Sequence, residues 1–357
     1  MLRPMPIHAR PLRALLLILP LGLLPLAGCD KLIAAITETA QTAAEEKTGG
    51  LTGGAKTEDD RLSEKLDAYI NCVNNQSNNV TDSGNRYFSW VDAKEGPSGK
   101  SNVYGLFEIR DIKACVDGVT AAASLDPDDT ELEATGKAYV DALVAAEAIA
   151  NEAHKYYDEK NYEDDKWAKA KEMHPKLVTA FETFATADKA MRAAVSTRND
   201  SLQERDLARI EADMGKILMW QHKKTMSLAK KLTDAGDVAI EPELALDIAK
   251  FEAVLTEYET QVESMNSYAK DHKEETDSLS MFSSLQADAD EMKKAAKELL
   301  RRKRDNKAFT KDDFERFASG PAERVEGSPA KLSHEYNELV NTSNRINYQW
   351  YKAPAKP

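Results

Sequence analysis

The sequence contains no apolar run long enough to cross a membrane as a helix. The longest, Ala14 to Leu26, holds about 13 residues, against the roughly 20 that ~30 Å of hydrocarbon demands. Aromatic residues are scarce, 7% against 31% charged residues, a balance suited to long exposed helices and not to a β-sandwich core. Asn-Gly turns and sustained period-two alternation are missing, which argues against paired strands. No H-x-x-x-H or E-x-x-H pair stands on a helix face and no G-x-S-x-G occurs. Neither a zinc or di-iron site nor a hydrolase nucleophile turn is therefore expected. Positive charge is also in deficit. The net charge is −13, which repels phosphate backbones and argues against nucleic acid as a partner. No cofactor is expected.

What is present begins at the N-terminus. Arg3, Arg10 and Arg13 precede the short apolar run with no acid among them, the pattern of an export signal. The run ends in Leu26-Ala27-Gly28-Cys29, a bacterial lipobox, in which the Cys29 thiol is loaded with diacylglycerol and the chain is cut before it. Three acyl chains at ~0.8 kcal/mol per buried CH₂ suffice for stable anchoring. Residues 1–28 are thus expected to be removed, and the remainder to be held on a membrane through lipidated Cys29, facing the periplasm. Removal takes away three arginines and no acid, so the charge moves from −13 to −16. Asp30, directly after the cysteine, favours the inner membrane over the outer.

Residues 29–57 read as a flexible tether, rich in Thr, Ala and Gly, with Gly49-Gly50-Leu51-Thr52-Gly53-Gly54 near its end. Such a chain buries no core and spans about 30 Å r.m.s.. Helical periodicity starts near Asp59. The first helix is expected to reach Asp92, with Leu66, Ile70, Val73 and Trp90 inward and a kink at the polar run Asn74 to Asn79. Asp126-Pro127-Asp128-Asp129 reads as a helix start, with proline at the first helical position. The helix after it puts Leu132, Gly136, Tyr139, Leu143, Ala146, Ala150, Ala153 and Tyr157 on one seam, at gaps that alternate between four and three, the spacing of packed helices. One helix is expected from Trp167 to Ala194 and another from Leu207 to Gly236. Three more follow, after Pro242, from Phe282, and after Ser328-Pro329. The expected fold is all-α, an elongated antiparallel bundle of long helices over residues 58–350 behind the flexible N-terminal tether, with a disordered tail at 351–357.

With Cys29 lipidated, Cys72 and Cys115 remain. An even pair in an exported chain reads as a disulfide. It would close a loop with a separation of 43 residues, which contributes roughly 4 kcal/mol in the chain-entropy description.

The candidate interaction surface is Tyr156, Tyr157, Asp158, Tyr162, Asp164, Asp165 and Trp167. A calcium loop turns on a central glycine, and there is none here. Two readings stay open. In one, this is a hairpin tip: Asn161 turns the chain, Asp164 or Asp165 caps the next helix, and the tyrosines cover the bundle end. In the other, it is a recognition surface for a partner or cation. Gly96-Pro97-Ser98-Gly99-Lys100-Ser101 has the look of a phosphate loop, but the pattern needs glycine at position 94, where Lys94 stands. A rigid turn accounts for it better. Arg301-Arg302-Lys303-Arg304 reads as a solvated helix end, its cations on the negative end of the helix dipole, with contact to anionic headgroups or a partner as the alternative.

Arg86-Tyr87-Phe88-Ser89-Trp90-Val91-Asp92, Gly96 to Lys100, Tyr104-Gly105-Leu106, Cys115 and the acidic tyrosine stretch Tyr156 to Lys166, together with the lipobox, resemble the YiiG-like family of bacterial lipoproteins. The resemblance covers most of residues 58–350. It implies a helical fold and an envelope location, and it carries over no catalytic residue because the family's function is unknown. The expected function is that of a lipid-anchored periplasmic lipoprotein, not an enzyme, which offers a helical surface to an unidentified envelope protein. The alternative is a bundle that binds a small molecule or ion; an unrecognised periplasmic hydrolase stands behind both.

Overall fold

The structure is a computed structural model in which residues 56–99, 102–240, 243–348 and 351 are described. The lipobox, Cys29, the tether up to residue 55, Lys100, Ser101, Pro242, Trp350 and residues 352–357 lie outside the described residues. Among those described there are only helices, turns and one isolated bridge, Asp92 to Gly96.

Helix α1 (Glu58–Phe88) starts on a capping box. The Thr57 side chain accepts from the Asp60 amide, and the Asp60 carboxylate accepts from the Thr57 amide. Three acids in the first turn suit the positive dipole end. Contrary to the expected kink, the helix runs unbroken through the asparagines. The Asn75 and Asn79 amides donate to carbonyls one turn back, at Asn71 and Asn75. Gln76 and Ser77 are buried and bonded across the core, Gln76 to the Asp111 carbonyl and Ser77 to Tyr139 and Asp188. These polar groups have tertiary partners, so they do not compete with the helix backbone.

Helix α2 (Lys113–Ala122) carries Cys115, which is bonded to Cys72 of α1 across a Cα–Cα distance of 4.5 Å. Helix α3 (Thr130–Asp158) begins three residues later than the proline pattern implied. Its cap is Asp129, which accepts from the Leu132 amide and takes a two-pronged ion pair from Arg198. Pro127 lies outside the helix, after a cis peptide bond. The fully buried Lys65 of α1 donates to the Leu125 and Pro127 carbonyls and pairs with Glu133, which pins this connection down.

After the one-turn α4 (Asn161–Asp164), α5 (Ala168–Met214) runs antiparallel to α3. Arg198 meets Asp129 at one end of the pair and Lys169 meets Glu152 at the other. The whole predicted α3 seam is buried, and its alanines let the two helices approach closely. The sequence suggested separate helices at 167–194 and 207–236. The structure instead carries α5 through 47 residues and breaks at Gly215, whose φ of 80° is left-handed. No glycine or proline lies between Ala194 and Leu207, so nothing local ends the helix there.

Helices α6 (Leu218–Gly236), α7 (Ile248–Asp271), α8 (Lys273–Ser278), α9 (Phe282–Arg304), α10 (Lys311–Ser319) and α11 (Pro329–Ser343) complete the chain. Two hydrophobic cores result. One is built from residues between Leu66 and Val195, the other from residues between Leu218 and Tyr348. A small cluster of Leu207, Ile210, Ile217 and Trp220 sits at the α5–α6 turn. Where α5 leaves the first core it meets α6 through polar contacts: Lys230 with the Ser196 hydroxyl and Asp200, Lys223 with Asp206, and Lys231 with Glu204. Tyr351, assigned above to the tail, is held down by a bond to Glu275 and an edge contact with Tyr348.

Candidate interaction site at the aromatic end of the first core

Four pieces of chain meet where α1 ends. The α1 terminus supplies Tyr87, Phe88 and Trp90. The turn 91–99 follows, held by the Asp92 carboxylate, which accepts from the Lys94 and Glu95 amides. These bonds, with nearby Lys94, keep the carboxyl below its usual range. Gly96, with φ of 75°, lies against His174, where a Cβ would stand 2.9 Å from the ring. Gly99 packs on Trp167 in the same way. The glycines of the apparent phosphate loop therefore serve close packing of a turn.

The third piece is an irregular strap, residues 102–111. Its carbonyls are taken by side chains of the flanking helices and of the turn after α1: Arg86 donates to Tyr104, Trp90 to Gly105, His154 to Leu106, Ser83 to Phe107 and Asn151 to Ile109. Leu106 and Ile109 point inward, while Tyr104 and Phe107 remain 54% and 48% exposed. The Arg86 guanidinium lies 4.6 Å from the Phe107 ring centre, a cation–π contact that fixes the ring.

The fourth piece is the acidic tyrosine stretch, and the structure divides it. Tyr156 and Tyr157 are buried, Tyr162 and Trp167 half-buried, Asp158 and Asp164 exposed. Lys160, not Asn161, makes the turn with a left-handed φ of 55°. Asp165 accepts from the Lys169 amide at the start of α5 and from the Tyr156 hydroxyl. Burial opposes its ionisation, but these bonds hold it below the usual carboxylate range. The rings form one cluster, with Trp90 5.2 Å from Tyr157, Tyr87 5.9 Å from His174 and Tyr162 4.8 Å from Trp167. His174 Nε2–H donates to the Ala93 carbonyl, so its Nδ1 accepts from the Tyr87 hydroxyl. Burial pushes the Tyr87 hydroxyl up to about 12 and raises Tyr156 and Tyr157 as well, so all three stay neutral. The tyrosines thus cover the bundle end, and of the predicted surface only Asp158 and Asp164 are exposed.

Sequence reading did not single out Tyr104, Phe107 and Arg86 as a surface. The available signal was two aromatics three apart in a segment without helical period. Beside the strap lies a groove of about 440 Å³, lined by Phe88, Ser89, Trp90, Val91, Asp92, Asn102 and Tyr104 and widely open to solvent. Among the described residues no group of three or more His, Cys, Asp or Glu could hold a metal ion, and no helix is long and apolar enough to cross a membrane.

Residues 60–345, which hold nearly all of this end and of both cores, match the family described as Protein of unknown function (DUF3829). The chain belongs to the DUF3829 family. It is also similar to "Uncharacterized protein YiiG" of Escherichia coli (strain K12), with 31% identity over 288 residues, 79% of this chain and 78% of that protein. No solved structure matches. Membership in the DUF3829 family agrees with the YiiG-like resemblance and assigns no activity.

Proposed function

We propose that this DUF3829 protein is a lipid-anchored protein of the periplasm, acylated on Cys29, whose helical body binds an envelope protein without catalysing a reaction. Asp30 favours the inner membrane. The observation that carries the reading is the pair Tyr104 and Phe107. Both are large, apolar and about half exposed, on a strap whose carbonyls are fixed by four helix side chains and by Trp90. Aromatic anchors held rigid before binding lose little freedom on association, and such residues dominate protein interfaces. A photo-crosslinking residue placed at position 107 in cells should give a discrete protein adduct that the same residue at Glu257, exposed on α7, does not give. Identical adducts from both positions, or none from 107, would contradict the reading.

The groove beside the strap favours a second reading, a small-molecule site, because aromatic rings and the Asp92 carboxylate line it together. Its openness argues against this, since ligand pockets bury 70–90% of a small ligand. A ligand that raises the melting temperature of wild type but not of Trp90→Ala would support it.

A further inference from the structure

Among the described residues the two hydrophobic cores have no member in common. The first ends at Val195 on α5 and the second begins at Leu218 on α6. The helices of one core meet those of the other chiefly where α5 lies against α6. These two helices run antiparallel away from the turn at Gly215. Lys223 pairs with Asp206, Lys230 with Ser196 and Asp200, and Lys231 with Glu204. The seam between them has two halves. Beside the turn it is apolar, with Leu207 and Ile210 of α5 clustered with Ile217 and Trp220. Further from the turn the pairs just named are all polar. Their register places Ser227 of α6 opposite Asn199 and Gln203 of α5. Asn199 and Ser227 are buried. The side-chain amide nitrogens of Asn199 and Gln203 are shut off from solvent and have no hydrogen-bond partner among the described residues. A buried donor left unpaired disfavours the arrangement that buries it, by about tenfold in population or more.

We propose that the α5–α6 seam is a hinged interface, at which the second core swings away from α5 about the turn at Gly215. That glycine has a left-handed φ of 80°, and the apolar cluster beside it is the pivot. Opening lets water reach the Asn199 and Gln203 amides and solvates the lysines. Closing restores the three ion pairs between the helices and shuts the amides off again. The two terms oppose each other, which keeps the open and closed arrangements close in free energy. A contact built from ion pairs and unpaired amides resembles the polar interface between two domains that move, not a shared core. Neither core crosses the seam, so both stay packed in either arrangement. The stretch of α5 at the seam belongs to the first core. Leu202 packs against that core, and Arg205 pairs with Asp59 at the start of α1. The first core therefore holds α5 fixed, and α6 moves with the second core, where Met226, Leu228 and Leu232 are buried.

The test uses the chain from residue 29 onward with Cys29→Ser and the bond between Cys72 and Cys115 intact, so that a thiol introduced by Ser227→Cys is the one that reacts. Its rate of modification by a thiol reagent in native buffer reports how often the seam opens. Ala296→Cys, buried in the second core, gives the rate set by unfolding of that core. Position 227 should react about a hundredfold faster than position 296 or more, because local opening costs less than unfolding. Gln203→Leu removes one unpaired donor and should slow the reaction at 227 about tenfold. Equal rates at 227 and 296, or no slowing by Gln203→Leu, would overturn the proposal. A second measurement uses exposed positions alone. Spin labels at Lys189→Cys on α5 and Lys270→Cys on α7 should give two distances by pulsed electron paramagnetic resonance, with Gln203→Leu moving the population into one of them. A single narrow distance, identical in Gln203→Leu, would also overturn it.

Discussion

The ring of Tyr69 on α1 occupies the space that a side chain at Gly136 on α3 would need, since a Cβ there would stand 2.3 Å from Tyr69 Cε1. Both residues are buried, and Tyr69 is fully enclosed. The glycine therefore sets how closely α1 and α3 pack. Gly136→Ala should destabilise the protein by about 1–3 kcal/mol in denaturant unfolding, because overpacking outweighs the gain in helix propensity. Gly118 in α2 is the counter-case, since a methyl group added there would meet nothing within 4 Å. Gly118→Ala should stabilise by about 0.5–1 kcal/mol. If both substitutions destabilise equally, the close approach of Tyr69 is not what Gly136 provides.

The bond between Cys72 and Cys115 ties α2 to the middle of α1. Both cysteines are buried. Denatured but unreduced protein should show no reactive thiol from this pair, and reduction should lower stability by up to about 4 kcal/mol. Two titratable thiols in that state would refute the link.

His222 is buried in the second core between the Tyr348 and Ser343 hydroxyls. Burial, with nearby Lys223, lowers its pKa to about 3. An unfolded histidine titrates near 6.5. As pH falls below about 6.5, the unfolded chain takes up a proton that the folded chain refuses, so the histidine's contribution is lost on acidification, at about 1.4 kcal/mol per pH unit. His222→Gln should lower stability near neutrality and flatten this dependence. The stability gap between wild type and variant should therefore shrink from about pH 7 to about pH 4.5, a comparison that leaves the carboxylates common to both. A constant gap would show that His222 charges freely in the folded state.

Much of the helical architecture was legible because burial follows local period. Every residue of the α3 seam from Leu132 to Tyr157 is buried as its spacing implied, and Ser328-Pro329 opens α11 with the serine as cap. The pairing of Cys72 with Cys115 was also legible, since setting Cys29 aside as the expected lipid site leaves two cysteines and one partner choice. The misread places are those where tertiary contacts decide. Gln76 and Ser77 look like helix breakers until Asp111, Tyr139 and Asp188 are seen to satisfy them. Arg302 looks like a solvated cation until the loop carbonyls that surround it are known. The strap had no legible structure because side chains from α1 and α3 hold it, and no repeating pattern of its own encodes that. The acidic tyrosine stretch drew attention for its composition, yet burial of Tyr156 and Tyr157 makes it mainly part of the core.

The account turns on Cys29, because a surface for an envelope partner has meaning only if the chain is held in that compartment. The most direct measurement is mass spectrometry of the N-terminal peptide of protein purified from membranes, beside a Cys29→Ser variant. The account predicts a peptide that begins at Cys29 with its thiol acylated, and a variant that is uncleaved or released from the membrane. An unmodified Cys29 within an intact leader, or a variant still processed and membrane-bound like wild type, would contradict it.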